Sequence, residues 1–446
     1  MDVITKSYLE EIINLIKQDY NKKIIPKLKT HAYGIEWEKG SSVITRIGNL
    51  EMHKDCTISN KLKGCLHAGK EILHWLNPDG WGLPMDNGEI PILDGTAGDV
   101  GVAFTDPWYV KVYNLETKYQ VYISEYNIDG TWIKITPCIY SHDKSMTRIN
   151  ADGKEEAFSA CISKDDETHI GGNKDTNYIS KLHGRPRTGV DILTAIEFCN
   201  NRGDGRQLID YLHWCSLQLL YYIEYANFDC QLPVNKELTT DGFKQGGLGV
   251  GVVMLNWTNW STYNGNNPIV ETNFKVISNV GNKNYCDIDY NLNEYQTGFK
   301  IRPSYFHGMC LFGDIWTFIG DIIVITDIND NTKANVYKLK SNVTLAEITN
   351  NNILDKCIKI GIQYNIEGWI NEFDLSNGLY FIPAINGNST KGDYNYNNRN
   401  GQEIRVLRIG GAANDSTLDG IGYFNSHLTP SSAYSHVGFM TMLTLD

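Results

Sequence analysis

Two spacings of apolar residues divide this chain. Near the start, Tyr8, Leu9, Ile12, Ile13, Ile16 and Tyr20 recur every three or four positions, which predicts one amphipathic helix over residues 2–28 that Pro26 ends or kinks. From Tyr33 the period drops to two. Tyr33–Trp37 and Val43–Asn49 predict a hairpin, and Val100–Phe104, Tyr109–Tyr113, Tyr119–Ser124 and Trp132–Ile135 predict further strands. Residues 166–185 are polar and predict an ordered connecting loop. Thr188 is placed to cap a helix running through Val190–Cys199, which Gly203-Asp204-Gly205 breaks. A second helix, Leu208–Asn227, is apolar on nearly every side and is expected to be deeply buried. Strands and loops fill 232–403, with strands at Asn335–Leu339 and Ile358–Ile362 and a long polar loop over 386–401. The end of the chain returns to alternation. Ile404–Ile409, Gly420–Phe424 and Val437–Leu445 read as three strands joined by two loops, the first and last in one antiparallel sheet. This divides the chain into an N-terminal helix (1–30), a β-rich module (31–165) and an α+β domain (166–446).

Composition narrows the classes. The chain has 446 residues, 41% hydrophobic and 21% charged, long enough for two or three domains with real cores. A net charge of −12 argues against non-specific nucleic-acid binding. No signal peptide precedes Tyr8, and no apolar run is long enough to span a bilayer. The 10 cysteines are dispersed with no C-x-x-C pair, as expected of buried, reduced thiols rather than a zinc site. Asp327-Ile328-Asn329-Asp330-Asn331 opens like a calcium loop, but Thr332 and Lys338 stand where Gly and Glu are needed. Asp287, Asp289, Asn291 and Asn293 share the oxygen-rich alternation and lack the same two residues. Neither metal nor cofactor is expected. Gly246–Gly251 has no strand before it and no helix after it, so it reads as a tight loop rather than a phosphate cradle.

The loops between the last strands carry Asn, Ser, Tyr and His, the residue types of recognition surfaces built on rigid sheets. The run Arg408-Ile409-Gly410-Gly411, through Gly420, to Ser431-Ser432-Ala433-Tyr434-Ser435-His436-Val437-Gly438-Phe439 resembles the end of C-type-lectin-like bacteriophage virion and tail-fibre proteins. Those are related to the variable proteins of diversity-generating retroelements and, distantly, to formylglycine-generating enzymes. The resemblance extends to Ile35-Glu36-Trp37 with Thr45-Arg46-Ile47-Gly48-Asn49, and to Gly98–Val102 leading into Trp108-Tyr109. It also covers Asn200–Asp204 with Leu219–Gln231, and Tyr305–Gly308 with Phe312–Trp316, leaving only the first helix outside. The chain departs from the family at Asp106-Pro107-Trp108-Tyr109, where relatives usually have a Pro-Lys-Phe-Tyr type run, and at Ala412-Ala413, where they often place a tryptophan.

What the resemblance implies is a C-type-lectin-like domain whose terminal loops bind a ligand. Gly410, Gly411, Gly420 and Gly438 are then framework, and Asn414, Asp415, Thr417, Phe424, Ser426, His427, Tyr434 and His436 are the contacts. Trp316 is expected in the core. The corresponding function is a phage virion protein, a tail fibre or spike, that binds a host-surface glycan or protein and is made in the bacterial host cytoplasm. Residues 2–28 would join another virion protein or form a homotrimer. The alternative is a purely structural head or tail component. No cysteine follows Cys357, so the redox pair of formylglycine-generating enzymes is missing and no enzymatic activity is expected.

Overall fold

The computed structural model describes residues 22–161, 186–232, 235, 237–249, 304–364, 367–387, 391–397, 402–412 and 415–445. For 169–170, 288–292, 296–301, 304, 386 and 416 it describes the backbone alone. Helix α1 covers residues 22–31 and continues past Pro26. Proline lacks the N–H that would bond back to the preceding turn, and it leaves the turn after it free to continue. Ile24 and Leu28 pack against Ala32, Tyr122 and Trp132, so this part of the predicted stripe is covered by the chain's own sheet. The rest of the predicted helix, residues 2–21, lies outside the described residues.

The fold is mixed α+β and mostly antiparallel. Thr45–Gly48, Ala32–Glu38, Lys118–Ser124, Trp108–Asn114 and Ile133–Ile135 form one five-stranded sheet in that order, so the expected hairpin and its neighbours are present. A six-stranded sheet runs Gln207–Leu208, Thr441–Thr444, Cys138–Ser141, Asp99–Phe104, Lys63–Ala68, Glu71–Trp75. It therefore draws strands from both sides of the 165/166 division. So does the largest cluster of buried side chains, which holds Tyr33, Trp37, Val102, Trp214, Phe306 and Met442 together.

The third sheet positions the candidate site. Its order is Cys357–Tyr364, Lys333–Leu339, Trp316–Thr326, Arg405–Ile409, Phe424–Ser426, Tyr394–Asn397, Gly368–Asp374, Ile382–Gly387, with Val437–Phe439 also against Trp316–Thr326. Two sequence expectations change here. Val437–Leu443 is not one strand of an antiparallel sheet. Val437–Phe439 runs parallel to Trp316–Thr326, and Thr441–Thr444 crosses to the six-stranded sheet. The crossing is fixed by bonds that alternation does not encode: Ile209 donates to the Met440 carbonyl at 3.0 Å, and the Thr441 N–H to Ser141 Oγ at 3.0 Å. The polar run over 386–401 is not all loop, because Tyr394–Asn397 is a strand. Its asparagines satisfy each other's neighbours across the sheet, Gln363 donating to Asn395 Oδ1 at 2.6 Å and Asn397 to the Tyr364 carbonyl at 3.0 Å.

Past the short helix α2 (Leu50–Asp55), the two longer helices start on aspartates. Helix α3 (Ile192–Arg202) is capped by Asp191, which accepts the Thr194 N–H at 2.8 Å, rather than by Thr188. Gly203, with φ of 73°, ends it as the glycines predict. Helix α4 (Tyr211–Tyr225) is buried on every face, as expected. It grips the terminal segment directly, Trp214 Nε1 donating to the Ile421 carbonyl at 2.9 Å. The nine cysteines among the described residues are all buried. No helix among them is long and apolar enough to cross a membrane.

Candidate functional site

Four strands converge to build a cavity of about 340 Å³ at the end of the large sheet. Trp316 opens its strand, and its N–H donates to the His436 carbonyl at 2.9 Å. Arg408 lies on Arg405–Ile409, in register with Phe318 on one side and Asn425 on the other. Asn425 is in turn opposite Tyr396. The lining is Trp316, Tyr396, Arg408, Asp415, Tyr423, Asn425, His427, Leu428, Tyr434 and His436.

Glycines let the loops pass this closely. Gly410 and Gly411 have φ of 91° and 76°, which L side chains rarely adopt. A Cβ on Gly411 would lie 1.9 Å from Asp419 Oδ1, and one on Gly420 would lie 1.4 Å from Asp393 Oδ1. A Cβ on Gly438 would meet Ile315 at 2.8 Å. The framework role expected of these four residues thus has a steric reason. Asp415 holds the turn that follows, accepting the Ala412 N–H at 3.1 Å.

The structure brings together Asp415, His427, Tyr434 and His436 from the expected contacts. Tyr434 stands at the rim, 45% exposed, its ring 5.5 Å from that of His436. Thr417 is exposed on the Ser416–Leu418 turn and does not line the cavity. Asn414 lies outside the described residues. Phe424 and Ser426 are corrections. Phe424 is wholly buried against Tyr211, with ring centroids 6.0 Å apart, and Ser426 donates to Gln363 Oε1 at 2.9 Å. They alternate with Asn425 on an interior strand, so when Asn425 faces the cavity its two neighbours face the core.

Sequence reasoning missed Arg408, Tyr396, Tyr423, Asn425 and Leu428, and treated Trp316 as core alone. Trp316 is 2% exposed and does belong to a buried cluster, while its ring also forms part of the cavity wall. The available signal was Arg408 itself, a charged residue inside the apolar strand run Val406-Leu407-Arg408-Ile409, where a half-buried sheet would put a hydrophobe.

The electrostatics centre on that guanidinium. Its Cζ lies 4.4 Å from the Trp316 ring centroid, a cation–π geometry. Nη1 faces His436 Nε2 at 3.4 Å, and Nε is buried without a hydrogen-bond partner. Burial draws the Arg408 pKa down to about 10. Burial, with Arg408 adding to it, draws His436 down to about 4, so the ring is neutral at pH 7 and its Nε2 can accept from Arg408. His427 is lowered by burial, then by Arg408 and Arg405. Burial raises Asp415, and Arg408 partly offsets this. The set offers a desolvated cation, aromatic faces and hydroxyl and amide donors, the chemistry of a small polar-ligand pocket.

A second cavity, about 410 Å³, lies between α3 and the large sheet, but its cations are already engaged: Lys338 sits 3.6 Å from Asp321, Arg206 is ion-paired to Asp99, and Lys340 donates to the Asp355 carbonyl. The one group of metal-capable side chains among the described residues is Asp143, Cys310 and Asp314. The Lys144 ammonium lies among them, ion-paired to Asp314 and 3.7 Å from Asp143, and occupies the place of a cation. No protein-family model and no curated protein matches this chain.

Proposed function

We propose that this chain is a phage virion protein, a tail fibre or spike, that binds a host-surface glycan or protein through the terminal-sheet cavity of a C-type-lectin-like domain. The observation that carries this reading is the cavity that four strands build and the loops marked by the lectin-like resemblance border, with Tyr434 at its rim and Arg408 in its floor. Aromatic faces beside fixed polar groups suit a sugar ring or a polar side chain. In this reading residues 2–21 join another virion protein or bundle copies into a homotrimer, and the protein resides in the virion after synthesis in the bacterial cytoplasm. The deciding experiment is cell binding by the native chain and by a Tyr434→Ala, His436→Ala double variant, with folding checked by circular dichroism.

The second reading, a structural head or tail component, draws on a different surface. Leu73, Leu83, Ile90 and Ile92 are 37%, 45%, 62% and 55% exposed, and three of them line a groove of about 330 Å³. An apolar surface of this kind suits permanent contact with a neighbouring virion protein.

A further inference from the structure

The guanidinium of Arg408 is an under-satisfied cation. It is 7% exposed, its Nε is unpartnered, and its polar contact with His436 is to a neutral ring nitrogen. No carboxylate lies within ion-pair distance of it among the described residues, although Asp415 shares the cavity. Two other buried arginines are paired closely. Arg206 is ion-paired to Asp99, and Arg187 Nε sits 2.6 Å from Glu155. A buried charge left unpaired costs free energy that a bound counter-charge recovers.

We propose that Arg408 is the carboxylate-binding residue of this cavity and that its ligand is a sugar bearing a single carboxylate, a uronic or nonulosonic acid unit. The inference rests on the glycan-binding reading and deepens it. A guanidinium fork matches a carboxylate in plane and spacing. Held by Trp316 on one side, Arg408 has a fixed orientation before the ligand arrives. The Tyr396, Tyr423 and Tyr434 side chains then supply flat faces and hydroxyls for the rest of the ring. The volume, about 340 Å³, is at the small end of ligand sites and holds a terminal unit rather than a long chain segment.

Charge selects against other anions. The cavity holds one guanidinium, and the Asp415 carboxyl in the same lining already offsets part of its charge, so no surplus positive charge is left for a doubly charged ligand. The net charge of −12 also repels polyanions at long range. A phosphorylated sugar, with close to two charges, fits this arrangement less well than a carboxylated one.

The test is titration calorimetry of the full chain with the methyl glycosides of glucuronic acid and N-acetylneuraminic acid. Their carboxyl methyl esters, methyl glucoside and glucose 6-phosphate serve as comparisons. At least one carboxylated sugar should bind. Its ester should bind weaker by roughly tenfold or more, the scale of a charge-assisted hydrogen bond. Arg408→Met should abolish binding with the circular dichroism spectrum unchanged, and Arg408→Lys should restore part of it. Equal binding of ester and acid would overturn the carboxylate assignment and leave glycan binding standing. Tighter binding of glucose 6-phosphate would overturn the single-charge assignment. Binding of none of these sugars would overturn the inference as a whole, and cell binding by the native chain would then separate that failure from failure of the receptor reading.

Discussion

The Arg408 guanidinium carbon lies 4.4 Å from the centre of the Trp316 ring, and the two residues come from neighbouring strands of the large sheet. This pair couples framework to cavity. Trp316 is fixed by its strand, by the Tyr423 ring 4.5 Å away and by the parallel strand Val437–Phe439. Arg408 is thereby held in a buried place that desolvation of its charge opposes and the cation–π contact with Trp316 favours.

Arg408→Met keeps most of the side-chain volume and removes the buried charge. Replacing buried charges with apolar groups of similar size is often neutral or stabilising. The variant should unfold at the same temperature as the native chain or higher, by up to about 1–2 kcal/mol in stability. Calorimetric melting checks this. A large loss of stability would show that Arg408 is a structural residue.

Tyr434→Ala tests the rim. Tyr434 is 45% exposed, so its loss should change stability by less than ~0.5 kcal/mol. If it anchors the ligand, binding should weaken by ~1–2 kcal/mol or more. Paired melting and binding curves separate the two effects.

Gly411→Ala tests the framework. The residue has φ of 76°, and the new Cβ would lie 1.9 Å from Asp419 Oδ1. Strain at such a position costs at least ~1–3 kcal/mol. The melting temperature should fall, and binding should fall with it because Asp415 and Asp419 sit on the displaced loop. An unchanged melting temperature would refute the steric account.

Asp143 gives a pH signature. Burial, then the neighbouring Asp314, pushes its carboxyl up to about 8, while Lys144 on its other side opposes the shift. A raised folded-state pKa means that the folded protein holds the proton more tightly than the unfolded chain. The associated stability is complete below the unfolded value of 3.8 and is lost as pH rises through about 8. Asp143→Asn has no carboxyl to titrate and lacks this pH dependence. The stability of the native chain relative to Asp143→Asn should therefore decline across that window, as read by chemical denaturation at several pH values. A constant difference would contradict the assignment.

Most strands and α4 were legible because their residues repeat at the period of the element and are flanked by glycines or caps. The apolar circumference of Leu208–Asn227 identified a helix buried on all sides, and Tyr33–Trp37 identified its hairpin. Pairing partners were not legible. Val437–Phe439 and Thr441–Thr444 share one alternating run, and only long-range bonds to Trp316 and Cys138–Ser141 send them to different sheets. The same limit applied to the site. Composition pointed to the loops, and the family resemblance within them to His427, Tyr434 and His436. Arg408, Tyr396 and Asn425 lie on strands, where facing direction depends on register, and Phe424 and Ser426 were misplaced by that same one-residue alternation.

Binding of the fluorescently tagged full chain to a panel of bacterial isolates, compared with the Tyr434→Ala, His436→Ala variant, tests the receptor-binding claim most directly. The account predicts that the native chain labels one or more isolates and that the folded variant loses that labelling. Labelling of no isolate, or equal labelling by both proteins, would contradict it.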